Sequence, residues 1–258
     1  MRVKFKFITH LTFKESIKAH YFKFLSLPLS NSYQKITLTT RILPSANYSE
    51  YIDGYGNCVL YGSIPFEHSY FSIELEGEAI VKERYYLEEP LDRRFLLPYL
   101  ATLPSEMNFN AYLRAKMKLK GNDESVEEVV KKLMEWILSE CEYEKYQTTT
   151  MTDVDQFLHQ KRGVCQDFAN LLILFLRYHG IAARYVAGLM LGEGETHAWV
   201  EVFDGKGWIG VDPTHNRFIE SGYIKLSHGR DSRECMVNHG VFSGEGAHSL
   251  YVDVKVEQ

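Results

Sequence analysis

Cysteine is scarce in this chain, and long apolar runs and blocks of one charge are scarcer still. Its 258 residues hold four cysteines, Cys58, Cys141, Cys165 and Cys235, widely scattered and with no CxxC pair. That spacing excludes a zinc ribbon and a small disulfide framework, and it suits reduced thiols in a cytoplasm. The apolar run Leu171–Leu176 is far below the roughly 20 residues needed to span a bilayer. Met1–Phe7 alternates charge with apolar side chains where a secretory signal would be continuously apolar, so it reads as a strand. The expectation is a cytoplasmic protein without membrane contact. Lys and Arg number 29 against 34 Asp and Glu, a formal charge of −5, and no long single-sign block stands out. Nucleic acid is therefore not an expected partner. Internal repeats, low-complexity tracts, a P-loop and GxGxxG are all missing.

What is present is ample core material, with 45% hydrophobic residues. Residues 1–85 are rich in Tyr, Phe, Thr and Ile, and short alternating segments such as Val3–Phe7 and Lys35–Thr39 lie between turn signals, including Asp53-Gly54-Tyr55-Gly56-Asn57. They predict an N-terminal antiparallel β domain. Residues 86–120, broken by Pro90, Pro98 and Pro104, read as a connector with short helices. Residues 121–258 read as a core of helices and strands that ends in β strands. Its first element is an amphipathic helix to about Ser139, capped by Ser125, with Glu127 and Glu128 in its first turn.

The informative stretch runs from Arg162 through Gly163-Val164-Cys165-Gln166-Asp167-Phe168 to Gly180. Apolar residues at 164, 168, 171, 172, 175 and 176 share one helical face, and Gly180 suits the C-cap. Cys165 then sits at a helix start, where unpaired amides and the dipole favour a thiolate. Gly163 before it suits a sharp turn and close approach to the sulfur. A buried structural thiol is the competing reading.

Three strands follow: Ala183–Leu191, Thr196–Phe203 and Trp208–Asp212, with Asp204-Gly205-Lys206-Gly207 as a hairpin turn. His197, Trp199 and Glu201 share a face of the second, and Trp208, Gly210 and Asp212 a face of the third. Pairing Phe203 with Trp208 makes facing residue numbers sum to 411, so His197 lies diagonal to Asp212 on the same side. A thiol at a helix start, an imidazole to take its proton and a carboxylate to orient that imidazole form one chemical unit. Oxyanion donors are the Cys165 backbone N–H and, as alternatives for the second, Tyr143, Gln160 or Gln166. Trp199 belongs in the core or walls the substrate cleft. Asp167 complements the helix dipole. His215, His228, His239 and His248 lack short ligand spacing, and no metal is expected.

Gly163–Ala169, Ala183–Gly188, His197–Val202 and Gly207–Thr214, taken in order, resemble the core of the bacterial transglutaminase-like superfamily. The tail from Gly229 onward and the Asp53–Asn57 segment are similar to the ends of the same proteins. The resemblance implies an α+β, papain-like fold with Cys165, His197 and Asp212 as catalytic triad. Where this family often carries His, this chain has Asn170, on a helix surface given no catalytic part. The expected activity is thiol-dependent hydrolysis of peptide or isopeptide amides, without cofactor. Transamidation of protein glutamine and a non-enzymatic interaction module are the alternatives, and oligomeric state is left open.

Overall fold

The computed structural model describes residues 1–101, 124–244 and 248–258. Six strands come first: β1 (Arg2–Ile17), β2 (Ala19–Leu27), β3 (Gln34–Leu43), β4 (Asn47–Ile52), β5 (Cys58–Ile64) and β6 (His68–Val81). A short β7 (Tyr86–Leu87) and α1 (Leu96–Leu100) follow. The rest of the expected connector, from 102 on, lies outside the described residues. Next come α2 (Val126–Glu140), β8 (Glu142–Tyr143), α3 (Val154–Gln160), β9 (Arg162–Gly163) and α4 (Cys165–Tyr178). The remaining strands are β10 (Ala183–Met190), β11 (His197–Phe203), β12 (Trp208–Asp212), β13 (Arg217–Phe218), β14 (Tyr223–Gly229), β15 (Asn238–Ser243) and β16 (His248–Glu257). Among the described residues no helix is long and apolar enough to cross a membrane.

Two four-stranded antiparallel sheets, ordered β16-β1-β6-β3 and β15-β2-β5-β4, pack face to face. Alternation drives this, since Val3, Phe5 and Phe7 point inward and meet Phe22 and Phe24 from the facing sheet. The last two strands do not stay with residues 121–228, where the sequence reading put them. β16 pairs with β1 and β15 with β2. Period-2 alternation marks a strand but not the sheet that receives it, and here the chain returns to complete the first β unit.

A third sheet, ordered β13-β12-β11-β10-β14 with β7 beside β12, is buried on both faces. Ala198, Val200 and Val202 pack against α2, α3 and α4, while Trp199 and Trp208 pack toward the two β sheets. The helices owe their ends to local chemistry. Ser125 and Glu128 form a reciprocal capping box on α2. α4 closes on Gly180, whose φ of +70° is the left-handed conformation glycine adopts freely.

The first β unit is joined to the third sheet through its free edge. The Asn57 amide donates to the His228 carbonyl at 2.8 Å and accepts from the His228 N–H at 2.9 Å. Gln34 does the same for Lys225, at 2.9 and 2.8 Å. Two side-chain amides thus replace a neighbouring strand along β14, satisfying backbone groups that burial would otherwise orphan. Beside them, the fully buried Glu201 carboxylate accepts from Arg184, from Tyr85 and from Lys225 Nζ at 2.8 Å. Arg184 stacks its guanidinium 4.0 Å from the Trp208 ring centre.

Candidate active site

Cys165 is the first residue of α4, so its N–H and that of Gln166 have no intrahelical acceptor. The helix start is held from within. Asp167 Oδ2 reaches back to accept from the Val164 N–H at 2.8 Å and from Thr148 Oγ1 at 2.7 Å. Burial raises the Asp167 pKa against the pull of those hydrogen bonds. Gly163 serves this arrangement rather than a turn, for its φ is not in the left-handed region. A Cβ there would lie 2.5 Å from Asp167 Oδ2 and 2.9 Å from the Phe157 ring.

The β11–β12 register is the one the sequence implies, with Phe203 facing Trp208 and Val200 facing Val211. It carries His197 and Asp212 into direct contact, Nε2 to Oδ2 at 2.7 Å. Both are buried, His197 at 7% exposure and Asp212 at 0%. An ionised carboxylate only accepts, so Nε2 carries the proton and Nδ1 is left for Cys165, the other group acting on the ring. Burial lowers the His197 pKa, but the hydrogen bonds and charges of Asp212 and Cys165 outweigh it and raise the value to about 10. The Asp212 carboxyl is held far below the usual range by His197 and His215, against its own burial.

Asp212 does more than orient one imidazole. Its Oδ2 also accepts from His215 Nδ1 at 2.8 Å and from the Tyr223 hydroxyl at 2.7 Å. Its Oδ1 accepts from the N–H groups of Thr214 and His215, at 2.9 and 3.2 Å. Arg217 in turn donates to the Tyr223 oxygen at 2.6 Å. The reading from sequence missed His215, Tyr223 and Arg217 as partners of this carboxylate. His215 had a signal, since Asp-Pro-Thr-His is the text of an Asx turn that folds position 215 back onto the aspartate. Tyr223 and Arg217 had none, because β13 and β14 reach Asp212 only through the sheet. The ligand atoms of His197, Asp212 and His215 lie within 4.8 Å of one another, a donor set with cation-binding spacing. Here both imidazoles use those atoms as hydrogen bonds to one oxygen.

Cys165, His197 and His215 open into a cleft of about 1050 Å³. Its far wall comes from the first β unit, through Phe7, Asn238, Leu250 and Val252. Tyr143, on β8 beside β9, and Gln166 line it too. Gln160 does not. Its amide turns back to the Arg162 carbonyl at 2.9 Å. Trp199 is fully buried and stacks behind His197 at 6.4 Å, a core residue rather than a cleft wall. Asn170 is buried and donates to Ser232 Oγ at 2.9 Å, tying α4 to the segment after β14. His228 lies buried against Arg184, and His239 and His248 line a small adjoining cavity between β15 and β16.

A helix-borne cysteine facing a histidine–aspartate pair on an antiparallel sheet defines an α+β protein of the papain and transglutaminase type. A candidate cysteine protease from Cytophaga hutchinsonii shares that fold over nearly the whole molecule. Its TM-score is 0.75 at 24% identity, over 99% of this chain and 91% of that one. Residues 113–213 match the model of the transglutaminase-like superfamily. An uncharacterized Mycobacterium leprae protein is 38% identical over 131 residues, 47% of each chain. A protein-glutamine gamma-glutamyltransferase of Pseudomonas aeruginosa is 38% identical over 76 residues, 24% of this chain and 11% of that protein. The chain spans about half the length, or less, of the curated relatives it matches.

Proposed function

We propose that this protein is a thiol-dependent acyl-transfer enzyme that hydrolyses peptide or isopeptide amide bonds through Cys165, His197 and Asp212. One observation carries the reading: His197 stands between the Cys165 thiol and the Asp212 carboxylate at the wall of one cleft, with its pKa raised to about 10. The Cys165 proton passes to His197 Nδ1, and the thiolate attacks the amide carbonyl carbon, forming a C–S bond. The oxyanion that develops meets the Cys165 N–H at the helix start, with Gln166 and Tyr143 as the side chains in reach. His197 then gives its proton to the leaving amine as the C–N bond breaks. Water, deprotonated by His197, attacks the thioester and releases a carboxylate. Cys165 is partly exposed in an open cleft, which supports water as the acceptor.

A peptide-library digest with added primary amine, read by mass spectrometry, tests this. Cleaved peptides from the parent and none from Cys165→Ala are expected. Amine-capped glutamine without cleavage would identify a transamidase, as the name of the Pseudomonas relative suggests. An acyl adduct persisting in Cys165→Ala would rule out this nucleophile, and no product of either kind would leave the interaction-module reading.

A further inference from the structure

We infer that the free edge of β16 is the main-chain binding strand for an extended peptide, which adds to it as a further antiparallel or parallel strand beside Cys165. This rests on the peptide-hydrolase reading above for what the cleft receives.

β16 is an edge strand, bonded to β1 on one side only. Its ladder with β1 pairs Phe7 with Val254, Thr9 with Val252 and Leu11 with Leu250. In an antiparallel ladder alternate residues turn their N–H and C=O away from the partner. Two contacts fix which ones these are. The Val254 N–H donates outward to the Gly194 carbonyl at 3.2 Å, and the Val256 carbonyl accepts from the Gly192 N–H at 3.4 Å. The even-numbered residues therefore face out. At 254 and 256 the β10–β11 loop occupies the edge as a strand would. Leu250 and Val252 come next on the same row, and both line the cleft that holds Cys165 and His197. Among the described residues nothing pairs with their outward backbone groups.

A row of unpaired N–H and C=O groups on an active-site wall is a template for an extended chain, which gains affinity from main-chain bonds and selectivity from alternate side chains. Every second side chain of such a strand would lie on the Leu250 side. There the cleft meets a cavity of about 240 Å³ between β15 and β16, which shares Asn238 and Leu250 with it and is walled by Phe22, Phe24, Phe71 and Phe242. Apolar residues at alternate substrate positions follow.

Hydrogen exchange resolved to single amides tests this on full-length Cys165→Ala with a saturating library of unstructured decapeptides. The Leu250 and Val252 amides should slow at least tenfold, while Tyr251 and Asp253, already bonded to β1, stay unchanged. In the Cys165-containing protein, Leu250→Pro and Val252→Pro each remove one outward N–H and no β1 bond, as edge proline permits. Each should lower kcat/KM for a cleaved peptide about tenfold, the scale of one hydrogen bond, with thermal midpoint and iodoacetamide alkylation of Cys165 unchanged. Because proline can disturb a strand, peptides N-methylated at single positions against the unaltered enzyme give the same reading, with losses at every second position. Protection elsewhere in the cleft but not at 250 and 252, no protection at all, or uniform tolerance of N-methylation would overturn the inference. Protection without turnover would sink the hydrolase reading and keep the edge.

Discussion

Replacing Asp212 by Asn isolates the electrostatic centre of the site. The carboxylate accepts five hydrogen bonds, from His197, His215, Tyr223, and the Thr214 and His215 amides. An amide keeps one oxygen and turns the other position into a donor. The Thr214 and His215 N–H groups are fixed in backbone and hold the oxygen, so the NH₂ faces His197, His215 and Tyr223. Tyr223 can rotate its hydroxyl to accept. His197 can accept only by moving its proton to Nδ1, which then points at Cys165 and cannot take the thiol proton. In the serine-protease triad the same aspartate-to-asparagine change, acting through the wrong tautomer, costs about 10⁴ in kcat. A fall of about 10³–10⁴ in kcat/KM is expected here, roughly 4–5.5 kcal/mol of transition-state stabilisation.

The pH dependence supplies a second signature. A histidine whose folded pKa lies above its unfolded value contributes stability below about 6.5, and that contribution is lost as pH rises through the folded pKa. For His197 the folded value is about 10. Asp212 is depressed, so its contribution holds above the ordinary carboxylate range and is lost in acid. Parent and variant should therefore differ most in thermal midpoint between about pH 5 and 6.5, and the difference should narrow as pH rises toward 10. The alkaline limb of kcat/KM, which reports the imidazolium that protonates the leaving amine, should sit near pH 10 in the parent and move toward neutrality in Asp212→Asn. A variant within tenfold of the parent, with the same alkaline limb, would show that something other than Asp212 sets the imidazole.

Three further substitutions probe the supports of the site. Asn57→Ala leaves the His228 N–H and carbonyl without partners in a buried edge and should cost about 2–4 kcal/mol by denaturant midpoint, with the Cys165 alkylation rate unchanged. Glu201→Gln strands the buried Arg184 and Lys225 charges and should cost about 3–5 kcal/mol, again read by chemical denaturation; a loss under about 1 kcal/mol would mean that the two cations are stabilised by other groups. Gly163→Ala drives a methyl into Asp167 and Phe157, so about 1–3 kcal/mol of destabilisation is expected, together with slower alkylation of Cys165 as the helix start loses its brace.

The parts of the site legible in the sequence are those set by local periodicity. Cys165 is at a helix start because the apolar face from 164 to 176 has a 3.6 period and Gly180 ends it. His197 meets Asp212 because a tight turn at 204–207 fixes a register whose parity puts both on one side, and that register is the observed one. What escaped was decided by partners distant in sequence. Asn170 has no partner legible from its neighbours in sequence, because Ser232, which it bonds, comes 62 residues later. Gly163 reads as a turn until the Asp167 carboxylate is seen to fill the space a side chain would need.

The final strands show the same limit and bear most on function. Alternation in Leu250–Val256 announces a strand equally well for any sheet, and the choice of β1 as partner depends on which edge is open when the chain returns. That choice places Leu250 and Val252 on the cleft wall, so the first and last stretches of the chain together shape what reaches Cys165. Removal of the first β unit would therefore take away one side of the cleft and expose the β14 edge that Asn57 and Gln34 cover. On the proposed reading the unit belongs to the working surface, because Leu250 and Val252 line the same cleft as Cys165.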